Sequence, residues 1–157
     1  PFTVNSARDY FQIIESQGRV VLDFENRKKI IREQGDKLAT EVNGQVAWKS
    51  TLLDQVANLV EYPEPVLGRF DPEYLELPQE VLLTSMETHQ KSFGLRDENG
   101  RLLPYFLTII NIDPEDLDLV RKGWERVLKA RLEDARFFWE ADRKTPLKVW
   151  LDELEKV

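Results

Sequence analysis

The sequence predicts an α+β fold: a small mixed or antiparallel sheet carrying a hairpin, packed by helices, with helical flanks at both ends. Three observations predict it. Apolar residues recur every three to four positions through long charged stretches near both ends. Between them, Asp97-Glu98-Asn99-Gly100 reads as a turn joining residues 91–96 to a long apolar run over 101–112. The order of helices, short strands, hairpin and further helices is that of an α+β domain.

Taken in order, Asn5 and Ser6 offer caps for a helix over 7–17, where Tyr10, Ile13 and Ile14 form an apolar stripe and Gly18 stops it. Residues 19–23, RVVLD, are expected to form a brief strand. Residues 24–42 predict a highly charged helix whose narrow apolar edge is Ile30, Ile31, Leu38 and Val42, ended by Asn43–Gly44. So sparse a stripe is expected on a helix lying at the surface or against a partner. Leu52, Leu53, Val56, Leu59 and Val60 predict a helix over 50–60, terminated by Pro63 and Pro65. Residues 66–71 form a strand candidate, closed by a turn at Asp71–Pro72. Pro78 suits the first turn of a helix to His89, with Val81, Leu82, Ser85 and Met86 inward. Pro104 is expected at an edge or at the start of its strand. Asp113–Pro114 is expected to open the longest helix, with Glu115 and Asp116 in its first turn, where the dipole favours acid. Leu117, Val120, Trp124, Val127, Leu128, Arg131, Leu132, Ala135 and Phe138 keep its spacing to about Ala141. Thr145–Pro146 begins a last helix. Residues 1–44 are thus an N-terminal helical flank with one short strand and 45–141 the α+β core. Residues 142–157 are expected to be a C-terminal helix leading to a further domain outside the chain.

The 157 residues, 41% hydrophobic and 32% charged, suit one domain with flanks. Four Trp and eight Phe are too many apolar anchors for a solvated tail. No stretch approaches the roughly 20 apolar residues that cross a bilayer, so no membrane partner is expected and the expected location is the cytoplasm. With no Cys and one His, His89, the chain has no disulfide, no thiolate nucleophile and no multi-histidine metal site. The glycines nowhere form GxGxxG or a P-loop. No metal or cofactor is expected in the chain itself. A net charge of −7 excludes a uniform basic coat for nucleic acid but leaves room for a local basic patch. The chain starts at Pro1 without a signal-peptide plan, and is expected to be excised from a longer one.

His89 lies in Thr88-His89-Gln90-Lys91, at a helix-to-strand junction where a general base could be built. No nucleophile–base–orienter pattern is legible near it, and neither Ser85 nor Ser92 sits in a nucleophile elbow, so a helix-capping histidine is preferred. The pairs Asp71/Glu73, Asp97/Glu98 and Glu133/Asp134 fall in turns or on an exposed helix face and read as solvated surface. No catalytic residue is assigned. The long helix is more informative: Arg121, Lys122, Arg126, Lys129 and Arg131 stand against Glu125 alone, a local balance of +4. Lys122, Arg126 and Lys129 share a face. That face can hold phosphates, with Trp124, Phe137 and Trp139 adding stacking or packing, or it can pair with acid elsewhere. Arg131 falls on the apolar stripe, where a buried ion pair is its expected role.

Three stretches carry a resemblance: NLVEYPEPVLGRFDPEYLELPQEVLLTSMETHQKSF over 58–93, GRLLPYFLTIINI over 100–112, and GWERVLKARLEDARFFWEADRKTPL over 123–147. In this order they resemble the β chain of the bacterial, heterotetrameric glycyl-tRNA synthetase, most strongly from about residue 45. The resemblance implies an internal piece of that chain, similar to the editing-type domain of phenylalanyl-tRNA synthetase β chains. In that family the aminoacylation site, with its ATP and magnesium, is on the α chain, while the β chain supplies tRNA recognition. The implied partners are glycine tRNA, the α chain and the remaining β-chain domains, with no DNA. The piece itself is not expected to be catalytic.

The family's HQK-x-F motif falls on His89, Gln90, Lys91 and Phe93. Its ERV-x-x-ARL-x-DA-x-FF motif falls on Glu125, Arg126, Val127, Ala130, Arg131, Leu132, Asp134, Ala135, Phe137 and Phe138. Two positions depart from the pattern: Ser92 stands where tyrosine is usual, and Trp124 where asparagine is usual. Phe137 and Phe138 cannot share one face, so one is expected in the core. A structural network is expected of Glu125, Arg131 and Asp134, with His89, Gln90, Phe93 and Phe138 as further motif residues. Phosphate contact is expected of Lys91, Lys122, Arg126 and Lys129. The preferred function is tRNA binding and architecture within a ligase that charges tRNA with glycine. The alternatives are a connector without RNA contact and a hydrolytic editing site with His89 or Lys91 positioning water. Editing is the least needed, because larger amino acids are excluded sterically from a glycine site.

Overall fold

The computed structural model describes residues 3, 6–111 and 114–144. Four strands form one antiparallel sheet: β1 (Gln45–Val46), β2 (Glu64–Arg69), β3 (Phe93–Arg96) and β4 (Leu102–Ile110), in the order β1-β3-β4-β2. The described residues also form five helices, α1 (Ala7–Ser16), α2 (Phe24–Glu41), α3 (Ser50–Leu59), α4 (Gln79–Thr84) and α5 (Leu117–Lys144), of which α2 to α5 pack against the sheet while α1 buries no residue. The fold is α+β with helices at both ends, as the sequence predicts. Asn5, Asp113 and the helix expected after Thr145 lie outside the described residues.

β3 and β4 are the expected hairpin. Asp97 closes its turn by accepting from the N–H groups of Asn99 and Arg101 at 2.9 and 2.8 Å. Gly100 takes φ +77° there, a region open to glycine without strain. β4 reads as an unbroken apolar run because it is central and covered on both faces. Leu107 and Ile109 join Ile31, Ala39, Val56 and Ala57 of α2 and α3 on one side. Leu102 and Phe106 join Leu82, Met86, Leu128 and Leu132 on the side of α4 and α5. Pro104, third in this central strand, sits where the β3 pairing slips from Gly94↔Phe106 to Arg96↔Leu102. Its missing N–H costs no regular ladder bond at such an irregularity.

Two expectations are corrected. Residues 19–23 form no strand: Arg27 donates to the carbonyls of Val21 and Leu22 at 2.7 and 2.9 Å and to that of Ala57 at 2.8 Å. A guanidinium takes the Val21 and Leu22 carbonyls, and a backbone bond, from the Val21 N–H to Glu61 O at 2.7 Å, replaces a strand ladder. Nor does α2 lie loosely on the surface, because Ile31, Gly35 and Ala39 are buried against the sheet. The stripe looked sparse because its middle member is a glycine. A Cβ at Gly35 would stand 2.6 Å from Leu107 Cδ2 and 3.0 Å from Trp48 Cη2.

The helix from Gln79 reaches His89 only by loosening into one π-helical turn over Ser85–His89. Lys91 then takes φ +51°, and Ser92 donates its N–H back to Met86 O at 3.1 Å. That is a Schellman-type stop with a lysine where glycine is usual. No helix among the described residues is long and apolar enough to cross a membrane.

Two predictions follow from this packing. At Gly68 a Cβ would meet the Phe106 ring at 2.3 Å, whereas at Gly123 it meets nothing within 4 Å. Gly68→Ala should cost about 1–3 kcal/mol through overpacking, and Gly123→Ala should be neutral or stabilising by up to about 1 kcal/mol; urea midpoints compare them. Tyr74 is buried under α5 with the Arg136 guanidinium 4.4 Å from its ring centroid. Burial, and then the Glu133 charge, push its phenol above the ordinary value of 10.0. Folding therefore favours the protonated phenol, so its contribution is whole below about pH 10 and is lost as pH rises through the raised value. Alkaline denaturation of Tyr74→Phe should lack that step.

Candidate functional site

α5 starts at Leu117, later than expected, because Asp116 caps it by accepting from the Leu119 N–H at 2.9 Å. Trp124, Leu128, Leu132 and Trp139 face the core under the sheet. That choice of face sets the rest of the helix. Lys122, Glu125, Arg126 and Lys129, three or four residues apart, then form a row beside the core stripe.

Opposite this row β2 ends at Arg69, and the chain turns through Phe70-Asp71-Pro72 into a short 3₁₀ turn, Pro72–Glu76. Asp71 caps that turn, accepting from Glu73 N–H at 3.0 Å, and Phe70 N–H donates to Pro104 O at 3.1 Å. One hydrogen bond ties helix to strand end: Arg69 N–H donates to Glu125 Oε1 at 3.1 Å. Between them lies a cleft of about 580 Å³. Arg69, Phe70, Asp71, Pro72, Pro104 and Tyr105 line one wall, and Lys122, Glu125, Arg126 and Lys129 the other. A smaller extension of about 330 Å³ carries it past Gly68 to Arg121.

The cleft is cationic in an acidic chain. Arg121 pairs with Asp118 at 2.9 Å and Lys129 with Glu133 at 3.7 Å, both on exposed side chains where such pairs are weak. Arg69, Lys122 and Arg126 have no ion-pair partner among the described residues. Such a site attracts an anion, and its walls supply both charge and apolar surface. Among the described residues no group of three or more His, Asp or Glu is placed to hold a metal ion.

The structure brings Lys122, Arg126, Lys129 and Glu125 together and leaves the other motif residues elsewhere. Lys91 lines a separate hollow of about 230 Å³ with His89, Gln90, Thr108 and Trp124. No carboxylate lines that hollow. Phe93 is fully buried, edge-on to Trp48 at 4.8 Å. Ser92, one of the two departures, is also fully buried, its hydroxyl donating to Gln90 O at 3.2 Å. Trp124, the other, packs into the core beneath α5.

Arg131 is exposed and has no ion-pair partner among the described residues, so the expected buried pair is not formed. Asp134 is exposed as well, and no hydrogen bond joins either residue to Glu125. Neither Phe137 nor Phe138 is in the core: they are 68% and 63% exposed, packed edge-to-face on each other at 5.5 Å. The reason is the face they occupy: Trp139, the next residue, packs into the core, while Phe137 and Phe138 point away from it.

Arg69, Phe70, Pro72, Pro104 and Tyr105 belong to the cleft and were not singled out from the sequence. Arg69 and Glu125 are 56 positions apart, and only the docking of α5 makes them neighbours. The one local signal was the turn after β2.

Fold and cleft together define an α+β module with a positively charged, helix-lined groove. The sequence profile described as glycyl-tRNA synthetase beta subunit matches residues 1–157, and the chain belongs to that family. The chain is 56% identical over its whole length to a glycine–tRNA ligase beta subunit of Nitratidesulfovibrio vulgaris strain DP4, covering 23% of that protein. It is 52% identical over 96% of its length to that of Lawsonia intracellularis, covering 22% of it. With that of Desulfitobacterium hafniense it shares 44% identity over its whole length, covering 23%. The chain thus spans less than a quarter of the length of these relatives.

Glu125 is the hinge of the site, and its replacement should show this. Glu125→Ala removes a charge-assisted bond and should cost about 1.5–3 kcal/mol, whereas Glu125→Gln keeps an acceptor for Arg69 and should cost less. Denaturant midpoints of the two variants make the comparison.

Proposed function

We propose that the chain is a non-catalytic part of a glycine–tRNA ligase β chain, contributing tRNA contact and architecture to the ATP-dependent charging of tRNA with glycine. The observation that carries this is the convergence of Lys122, Arg126, Lys129 and Arg69 on one cleft in a chain of net charge −7. Cations gathered in one rigid cleft exchange their counterions for phosphates, a contact that fixes register and orientation without reading sequence. In this reading the aminoacylation site, with its ATP and magnesium, belongs to the α chain, and no step of the chemistry passes through these residues.

The architectural half rests on α5. Phe137 and Phe138, with Leu119 and Val127 further up the helix, expose apolar surface that other parts of the ligase can cover. The relation to the editing-type domain of phenylalanyl-tRNA synthetase rests on the sequence resemblance and adds no hydrolytic residue to the cleft.

The test uses the assembled ligase. Lys122→Ala and Arg126→Ala should each raise the KM for glycine tRNA roughly fivefold with kcat unchanged, the effect of about 1 kcal/mol per phosphate contact. Each should also reduce the salt slope of tRNA binding by about one. An unchanged KM and slope in the double variant would remove the cleft from the tRNA path.

A further inference from the structure

We infer that the cleft takes one unpaired nucleotide, its phosphate on the α5 wall and its base on the β2–β4 wall, rather than the backbone of an RNA duplex. This rests on the tRNA-contact reading and narrows it. The two walls differ in chemistry: Lys122, Arg126 and Lys129 supply charge from α5, while the opposite wall, which also carries Arg69 and Asp71, supplies the apolar surface of Pro72, Pro104 and Tyr105. An A-form duplex presents phosphates and hydroxyls outward and stacks its bases inside, so it has nothing to lay on an apolar wall. An unpaired nucleotide carries a flat apolar base and an anion on one small unit. The size agrees: about 580 Å³ lies in the range of sites that enclose one small ligand.

Glu125 adds a second argument. A groove that only tracks phosphates gains no attraction from a carboxylate among its cations, since the like charge repels the backbone, and the bond to Arg69 uses only one of the two Glu125 oxygens. Here Glu125 stands between Lys122 and Lys129 in the row, with Oε1 held by the Arg69 N–H. A carboxylate so placed accepts from N–H groups on the edge of a base, which only a base outside a duplex offers freely. The site is also built before the ligand arrives. Its sheet wall is the paired end of β2 and β4, Arg69↔Tyr105, and its helix wall is fastened to that end through Glu125. Little ordering is left for the ligand to drive.

The experiment uses the assembled ligase and two RNA probes. One is a single-stranded octanucleotide with a central 2-aminopurine; the other is a blunt 12-base-pair duplex. The single strand should compete with glycine tRNA, and its 2-aminopurine fluorescence should fall severalfold as the base stacks. The Lys122→Ala/Arg126→Ala double variant should lose at least tenfold in single-strand affinity and should abolish the quench. Tyr105→Leu, which keeps apolar bulk but removes a π-face, should weaken the single strand at least fivefold and leave duplex affinity unchanged. Competition by the duplex but not by the single strand, or single-strand binding and quench that persist in the double variant, would overturn the inference. If the double variant still raises the KM for tRNA in that case, the cleft contacts tRNA through paired backbone and the broader reading stands. If it leaves that KM unchanged, both fall together.

Discussion

Every layer of this fold is hung on β4. It is the one strand paired along its length with a neighbour on one side and joined to a hairpin partner on the other, and both of its faces are covered. Leu107 and Ile109 enter the core under α2 and α3, while Leu102 and Phe106 enter the core under α4 and α5. Each such side chain contributes about 1.5–3 kcal/mol by leaving water, and the same strand collects these contributions for both helix layers. The two glycines that crowd it repeat the point. Gly35 lets α2 come down onto Leu107, and Gly68 makes room for the ring of Phe106 across the β2 ladder.

That double burial explains which parts of the fold were legible in the sequence. A central strand with two covered faces must be apolar throughout, so residues 101–112 stood out as a run, and the Asp97–Gly100 turn fixed its partner. The helices over 50–60 and from Leu117 onward were legible from their spacing. The failures have definite causes. The α2 stripe was judged too sparse because a glycine does the work of an apolar residue at position 35. The 19–23 segment has strand-like residues, but Arg27 occupies the Val21 and Leu22 carbonyls from six and five positions away, and propensity says nothing of that. On α5, Arg131 and Phe138 were counted into the core stripe because the helix offers apolar residues on more than one face. Only the position of the sheet decides which face turns inward.

The cleft was half legible, and the division is physical. Its helical wall consists of residues three and four apart, a spacing that places Lys122, Arg126 and Lys129 together whatever the helix packs on. Its sheet wall is non-local: Arg69, Pro104 and Tyr105 reach α5 only after β2 has paired with β4 and α5 has docked. The long reach of that contact also explains why Lys91 was grouped with these cations. Motif and charge type pointed to it, yet it ends the π-helical turn in a left-handed conformation and lines a different hollow.

Glu125 makes fold and site depend on each other. Its carboxylate holds the end of β2 to α5, and the same group stands among the cations of the cleft, where it lowers the local positive charge. A surface selected for the strongest attraction to phosphate would not keep an acid there. A surface that must admit an anion in one orientation only gains from it: repulsion at one point excludes arrangements that attraction alone would allow. The charge row on α5 is therefore better understood as a positioning device than as a sink of affinity. Its geometry is set by the strand that Glu125 grips, and through that strand by β4 and both cores.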